Sequence, residues 1–231
     1  MWSQGRFRAD GADADDMLAF AQATARLGFP AIEINYVIPP QGVDALLTND
    51  HVAIASLHSP TPRIKMPNGK SSEALNLASP NEDERVLAVE RALITIDHAA
   101  RCGARYIVVH LGGIEGGIFE EERELLDEYP PHVAGFWLDV GHAEVLGRLG
   151  LEPHGRWLNE LSDRCIGTHV HDVDGLADHR APGHGTADWP HYAAKLPPDA
   201  PRIFEINQKM PEDQVAAAIP FLRERGVLPP A

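Results

Sequence analysis

Cysteine is scarce. Cys102 and Cys165 are the only two in 231 residues, too few for a disulfide framework, so a reducing cytoplasm is the expected compartment. No apolar run approaches the roughly 18 residues that a membrane-spanning helix requires. The opening Met1-Trp2-Ser3-Gln4-Gly5-Arg6 lacks the pattern of a signal peptide. Positive charge is also in short supply: 20 Lys and Arg against 34 Asp and Glu leave a net charge of −14. Such a field repels phosphate backbones and favours metal cations, so no nucleic-acid partner and no membrane partner is expected. Internal repeats, charge blocks and low-complexity linkers are missing as well. The expectation is a single domain over residues 1–231, long enough to bury about 70% of its unfolded surface without staples. What is present is ordinary globular composition, 44% hydrophobic and 23% charged, with one exception: 12 histidines.

Short β-branched segments alternate with helical ones. Strands are expected at 31–35, 52–57, 106–109, 135–138, 165–168 and 202–204, with a seventh near Ser3–Phe7. Helices are expected at 13–27 with Gly28 as C-terminal cap, at 80–101 ending at Gly103, and at about 120–128, 142–162, 188–195 and 211–225. This rhythm implies a parallel sheet with helical cover. Glu33, His58, His110, Asp139, His169 and Glu205 fall at or near the C-terminal ends of these strands. A doubly wound sheet gathers ligands from two or three strands at its switch point. Ionisable residues at nearly every strand end fit an α/β fold of the (β/α)8 TIM-barrel-like kind better, with parallel strands inside and helices outside.

Imidazole and carboxylate together are the ligand set of Zn²⁺, Mn²⁺, Co²⁺ or Fe²⁺. The segments bearing them are Ser56-Leu57-His58, Val109-His110, Leu138-Asp139-Val140-Gly141-His142, Thr168-His169-Val170-His171-Asp172, Asp178-His179 and Phe204-Glu205. His171 alternates with His169 and reads as a hydrogen-bond donor behind it, although the two could exchange roles. Singly, Asp139 could cap the helix that follows and Glu205 could pair with Arg202. Jointly, convergence on a divalent ion is the better reading. His51, His98, His132, His154 and His191 lie away from the strand ends and read as surface or capping groups.

The run Leu138-Asp139-Val140-Gly141-His142, then His169-x-x-Asp172, His179 and Pro182-Gly183-x-Gly185-x-x-Asp188-Trp189, resembles the xylose-isomerase-like TIM barrels. That superfamily includes sugar phosphate isomerases and epimerases and the endonuclease IV branch, and the resemblance runs from Ala31 to Glu205. It implies Asp139, His169 and Glu205 as metal ligands, with His142 and His179 as ligands or substrate contacts. His58 and His110 match positions that hold additional zinc in endonuclease IV. Family members also carry a ligand Glu on a fifth strand. Here one βα unit separates His110 from Asp139, and residues 114–134 offer an acidic helix but no apolar strand, so the barrel reads as one βα unit short. Glu115, in the Gly112–Gly117 loop, is the weak substitute.

The functional expectation is a divalent-metal-dependent isomerase or epimerase of a small sugar, sugar phosphate or polyol, working through an enediolate. The ion would be Mn²⁺, Zn²⁺, Co²⁺, Fe²⁺ or Mg²⁺, and a homo-oligomer is compatible with it. Catalysis would fall to Glu205 and His142. Substrate would be held by His58, Glu33, His179 and Arg63, the last on a long loop, Ser59–Ser79, that carries cations in an acidic protein. The metal set would be Asp139, His169, Glu205, His142, His110 and His179. With one family Glu absent, isomerisation on one face should exceed epimerisation. The alternatives are a zinc-dependent phosphodiester hydrolase like endonuclease IV, and a barrel that binds without catalysing.

Overall fold

A computed structural model describes residues 13–66, 69, 71–110 and 118–230. The chain forms two compact units, Met1–Gly113 and Ile114–Ala231. The expected strand near Ser3–Phe7 and the Gly112–Gly117 loop with Glu115 lie outside the described residues.

In the first unit, α1 (Ala14–Arg26) leads into β1 (Ala31–Ile34), α2 (Pro40–Leu47), β2 (Ala53–Ser59), α3 (Glu82–Cys102) and β3 (Tyr106–Val109). The three strands form one parallel sheet in the order β1-β2-β3. Asp13 starts α1 by accepting the Asp16 N–H at 2.9 Å, and Gly28 ends it at φ 86°. Met17 and Phe20 of α1 are fully buried, each stabilising the unit by roughly 1.5–3 kcal/mol. Asn81 caps α3, whose first turn carries Glu82, Asp83 and Glu84; Gly103, at φ 72°, closes it. Helix α2 escaped the sequence reading because its eight residues give little more than two turns of pattern.

The second unit runs α4 (Ile118–Glu128), β4 (Phe136–Asp139), α5 (Val140–Arg148), α6 (Arg156–Leu161), β5 (Cys165–Val170), β6 (Asp172–Asp174), β7 (Ala177–Arg180), α7 (Trp189–Lys195), β8 (Arg202–Phe204) and α8 (Glu212–Glu224). Its parallel sheet has the order β4-β5-β8, and β6 with β7 makes an antiparallel hairpin. Two corrections belong here. The helix expected over 142–162 is two helices, because Gly150 (φ 69°), Pro153 and Gly155 (φ 74°) interrupt it. The hairpin was not foreseen, since its polar strands carry no apolar alternation.

The described residues therefore contain the six parallel strands expected, with a helix after each, reached from β5 only through the β6–β7 hairpin. Between β3 and β4 they contain α4 and no strand. Each unit has its own core. Ile32, Ile34, Ile38, Val43, Leu46 and Leu57 join Met17 and Phe20 in the first, and Leu138, Val140, Leu158, Val170, Val215 and Leu222 lie in the second.

Candidate metal centre and substrate pocket

β4, β5 and β8 are in register so that Asp139 pairs with His169, and His169 with Ile203, two residues before Glu205. Ligand atoms of Asp139, His169 and Glu205 lie within 4.8 Å of one another. His169 Nδ1 is 3.0 Å from Glu205 Oε2 and 3.9 Å from Asp139 Oδ2. His169 and Glu205 are buried. Trp137 forms one wall, its ring 5.6 Å from that of His169. That ring has room because Gly167 sits beneath it: a Cβ there would lie 2.1 Å from the indole.

Asp139 is held from several sides. Its Oδ1 accepts the His142 N–H at 2.8 Å, capping α5, and contacts His171 Nε2 at 2.9 Å. Its Oδ2 is turned to His142 Nδ1 at 3.3 Å and towards His169. The oxygen that caps α5 is thus not the one turned towards His169. Burial opposes the ionisation of Asp139, but His171, His142 and His169 outweigh it and hold the carboxyl well below the usual range. Burial likewise opposes a charge on His171, yet Asp139, with Glu205 and Asp178, lifts this imidazole above its ordinary value.

A second trio of imidazoles, His142, His171 and His179, also converges within 4.8 Å. His142 bridges two carboxylates, with Nδ1 towards Asp139 and Nε2 3.4 Å from Asp178. His179 is held at φ 54°, a left-handed conformation that costs a non-glycine residue energy. Asp178 was quoted in the sequence only as a neighbour of His179, and its part in this cluster was missed. Arg202, the alternative partner of Glu205, donates from its guanidinium to the carbonyls of Pro197 and Ala200.

The glycine-rich motif has a structural cause. The fully buried Asp172 accepts the N–H groups of Val173 and Ala187 at Oδ1 and of Gly183 at Oδ2, each at 2.9 Å, and the Trp189 indole N–H at 3.4 Å. A Cβ at Gly185 would lie 2.5 Å from the Asp172 carboxylate. Asp172 therefore folds the segment after the hairpin around itself.

The remaining sequence candidates belong to the first unit. Glu33 and His58 are buried. Ser56 Oγ donates to Glu33 Oε2 at 2.6 Å, and His58 Nε2 is 3.7 Å from Glu33 Oε1. His58 stacks on Tyr36, with ring centroids 5.5 Å apart, and meets His110 edge-on at 5.0 Å. Tyr36 and His110 also line a pocket of about 280 Å³ with Ser59, Pro60, Leu75, Leu77, Ala88 and Val109. Tyr36 was missed because a lone aromatic after a strand carries no motif. Arg63 is exposed, and its main-chain N–H donates to Ile38 at 2.7 Å. The loop around it is built rather than merely solvated. The Arg91 guanidinium donates to the Pro62 carbonyl, Ser72 Oγ accepts the Ile64 N–H at 3.0 Å, and the main chains of Lys65 and Ser71 pair as an isolated antiparallel bridge.

No family model and no curated protein matches this chain. Solved structures do. An L-ribulose 3-epimerase superposes with a TM-score of 0.62 at 13% identity, covering 96% of this chain and 91% of its own. TTHB071 from Thermus thermophilus, in a crystal soaked with ZnCl2, gives 0.57 at 21% identity, covering 87% and 90%. A D-allulose 3-epimerase from Methylomonas sp. in complex with D-allulose gives 0.52 at 18%, covering 93% of each. These solved structures share with this chain a fold of parallel strands covered by helices. Among the described residues no helix is long and apolar enough to cross a membrane.

Proposed function

We propose that this protein is a divalent-metal-dependent isomerase or epimerase of a small sugar or sugar derivative. The observation that carries the reading is the Asp139–His169–Glu205 cluster at the ends of three adjacent strands. Two carboxylates and one imidazole, donors within 4.8 Å, suit a borderline divalent cation such as Zn²⁺, Mn²⁺ or Co²⁺. Such an ion would supply electrophilic stabilisation of negative charge on substrate oxygens. Asp139 Oδ2, His169 Nδ1 and Glu205 would hold it. Glu205 would also take the proton from the carbon beside the substrate carbonyl and return it, giving an enediolate between the two transfers. His142 and His179, on the more open side of the cluster, would contact substrate hydroxyls. Taken by itself, the first unit would offer a sugar the ring faces of Tyr36, His58 and His110 and the carboxylate of Glu33.

The likeness to sugar epimerases, one of them holding D-allulose, supports this reading, as does the negative net charge that favours a cation. The same charge disfavours the phosphodiester-hydrolase alternative, whose substrate is a polyanion. The test is solvent exchange. The protein, Mn²⁺ or Co²⁺ and a panel of aldoses, ketoses and their phosphates are incubated in deuterated water, and the α-carbon is followed by NMR. Exchange is expected with at least one sugar, falling about 10²–10⁴-fold in Glu205→Gln. Exchange that survives this substitution would put the base elsewhere.

A further inference from the structure

Through one strained residue the β6–β7 hairpin reaches His171, which touches the Asp139 carboxylate, and the main-chain carbonyl of Glu205. The N–H of His179 donates to His171 Nδ1 at 2.8 Å. An imidazole that accepts at Nδ1 carries its proton on Nε2 when neutral, and His171 Nε2 lies 2.9 Å from Asp139 Oδ1. The His179 side chain points the other way, its Nδ1–H donating to the Glu205 carbonyl at 2.9 Å. The His179 carbonyl in turn accepts the Asn207 N–H at 2.8 Å. The ring of His171 is fully buried and stacks on that of His179, with centroids 4.2 Å apart. It also lies directly over Gly141, where a Cβ would come within 2.0 Å of His171 Cε1.

From this geometry we propose that His171 and His179 are positioning residues, a clamp by which the hairpin fixes the direction of the Asp139 carboxylate and the backbone that carries Glu205. His171 occupies Asp139 Oδ1 and so leaves Oδ2 as the oxygen presented to His169 and Glu205. His179 secures the chain from Glu205 to Asn207 at two points. The left-handed φ of 54° brings its N–H, its carbonyl and its ring to three different partners at once. Strain held at such a residue marks a geometry the site requires. Both ring nitrogens of His171 are engaged within the protein, so its role is to orient a ligand. The proposal rests on the reading of Asp139 as a metal ligand, and its test separates the two.

Histidine-labelled, metal-free protein is examined by two-bond ¹H–¹⁵N NMR in an alkaline pH series, and the tautomers are read where the ring resonances no longer move with pH. His171 is expected as the Nε2–H tautomer and His179 as the Nδ1–H tautomer, the minor form of free histidine. His179→Gly tolerates the positive φ and keeps the N–H, so it must leave the His171 tautomer unchanged. Mn²⁺ affinity is then measured by calorimetry. His171→Leu should bind at least about tenfold more weakly, and His171→Gln, which retains an N–H donor, should recover most of the loss. Wild-type affinity in His171→Leu, or the opposite tautomer on either ring, would overturn the clamp. If the wild type takes up no ion, the metal reading fails. The clamp is then judged by the tautomers and by the Asp139 carboxyl ¹³C resonance, which must move in His171→Leu and return in His171→Gln; a resonance that does not move overturns it.

Discussion

The two units gather histidine around carboxylate in different ways. In Met1–Gly113, imidazoles meet aromatic faces: His58 lies flat on Tyr36, His110 meets both edge-on, and the pocket beside them is lined largely by apolar side chains. In Ile114–Ala231, imidazoles meet charge: His142, His169 and His171 all face Asp139, and His169 faces Glu205. Ring faces recognise shape and apolar surface, whereas converging lone pairs in a buried place invite a cation. The first region offers ring faces and the second converging lone pairs. The strained backbone at His179 lies in the second, where donor directions matter most.

The comparison can be broken at several strengths. The largest effect is expected where the second unit builds its scaffold. Asp172→Ala would leave the buried main-chain N–H groups of Val173 and Ala187, the half-buried one of Gly183 and the Trp189 indole N–H without their acceptor. A loss of roughly 3 kcal/mol should appear in the urea midpoint, given about 1–3 kcal/mol per unsatisfied buried group. A change below about 0.5 kcal/mol would show that Asp172 does not organise the segment.

A smaller effect should separate the two regions functionally. Tyr36→Ala removes the ring stacked on His58 and opens the pocket wall. With a substrate identified by exchange, KM should rise about tenfold, corresponding to roughly 1.4 kcal/mol of binding. Mn²⁺ affinity should stay within twofold of wild type. A loss of metal affinity without a change in KM would reverse the assignment of roles.

The smallest effect is a pH dependence of the metal-free protein. The lowered carboxyl of Asp139 contributes stability above its unfolded value near 3.9, lost as pH falls through the folded value. The raised imidazole of His171 contributes stability below its unfolded value near 6.5, lost as pH rises through the folded value. The pair should therefore stabilise most between about pH 3.9 and 6.5. The urea midpoint should fall as pH rises beyond that window, and the slope should flatten in His171→Gln. An unchanged slope in that variant would show that the pair does not contribute.

Most of this fold was legible because the strands are short, apolar and regularly spaced, and because glycine and Asn or Asp punctuate the helices. The three ligand-type residues Asp139, His169 and Glu205 were found from their shared place at strand ends, which the parallel register then brings together. What escaped was set by tertiary contact. Asp178 has no periodic signal and acquires meaning only when the hairpin turns it towards His142. Gly141 and Gly167 read as ordinary small residues until His171 and Trp137 are seen packed against them. The break between α5 and α6 was readable, since Gly150, Pro153 and Gly155 stand in the sequence, but apolar periodicity on both sides concealed it.

The central claim is that the second unit holds a divalent ion between Asp139, His169 and Glu205. Its most direct test is calorimetric titration of Mn²⁺ and Zn²⁺ into chelator-stripped protein, alongside thermal unfolding with and without the ion. Saturable binding with a rise in Tm is predicted, because a ligand of the native state must stabilise it. Both should weaken by about 100-fold or more in affinity in Glu205→Gln. A wild-type protein that neither binds nor gains stability, or a Glu205→Gln variant that binds as the wild type does, would contradict the account.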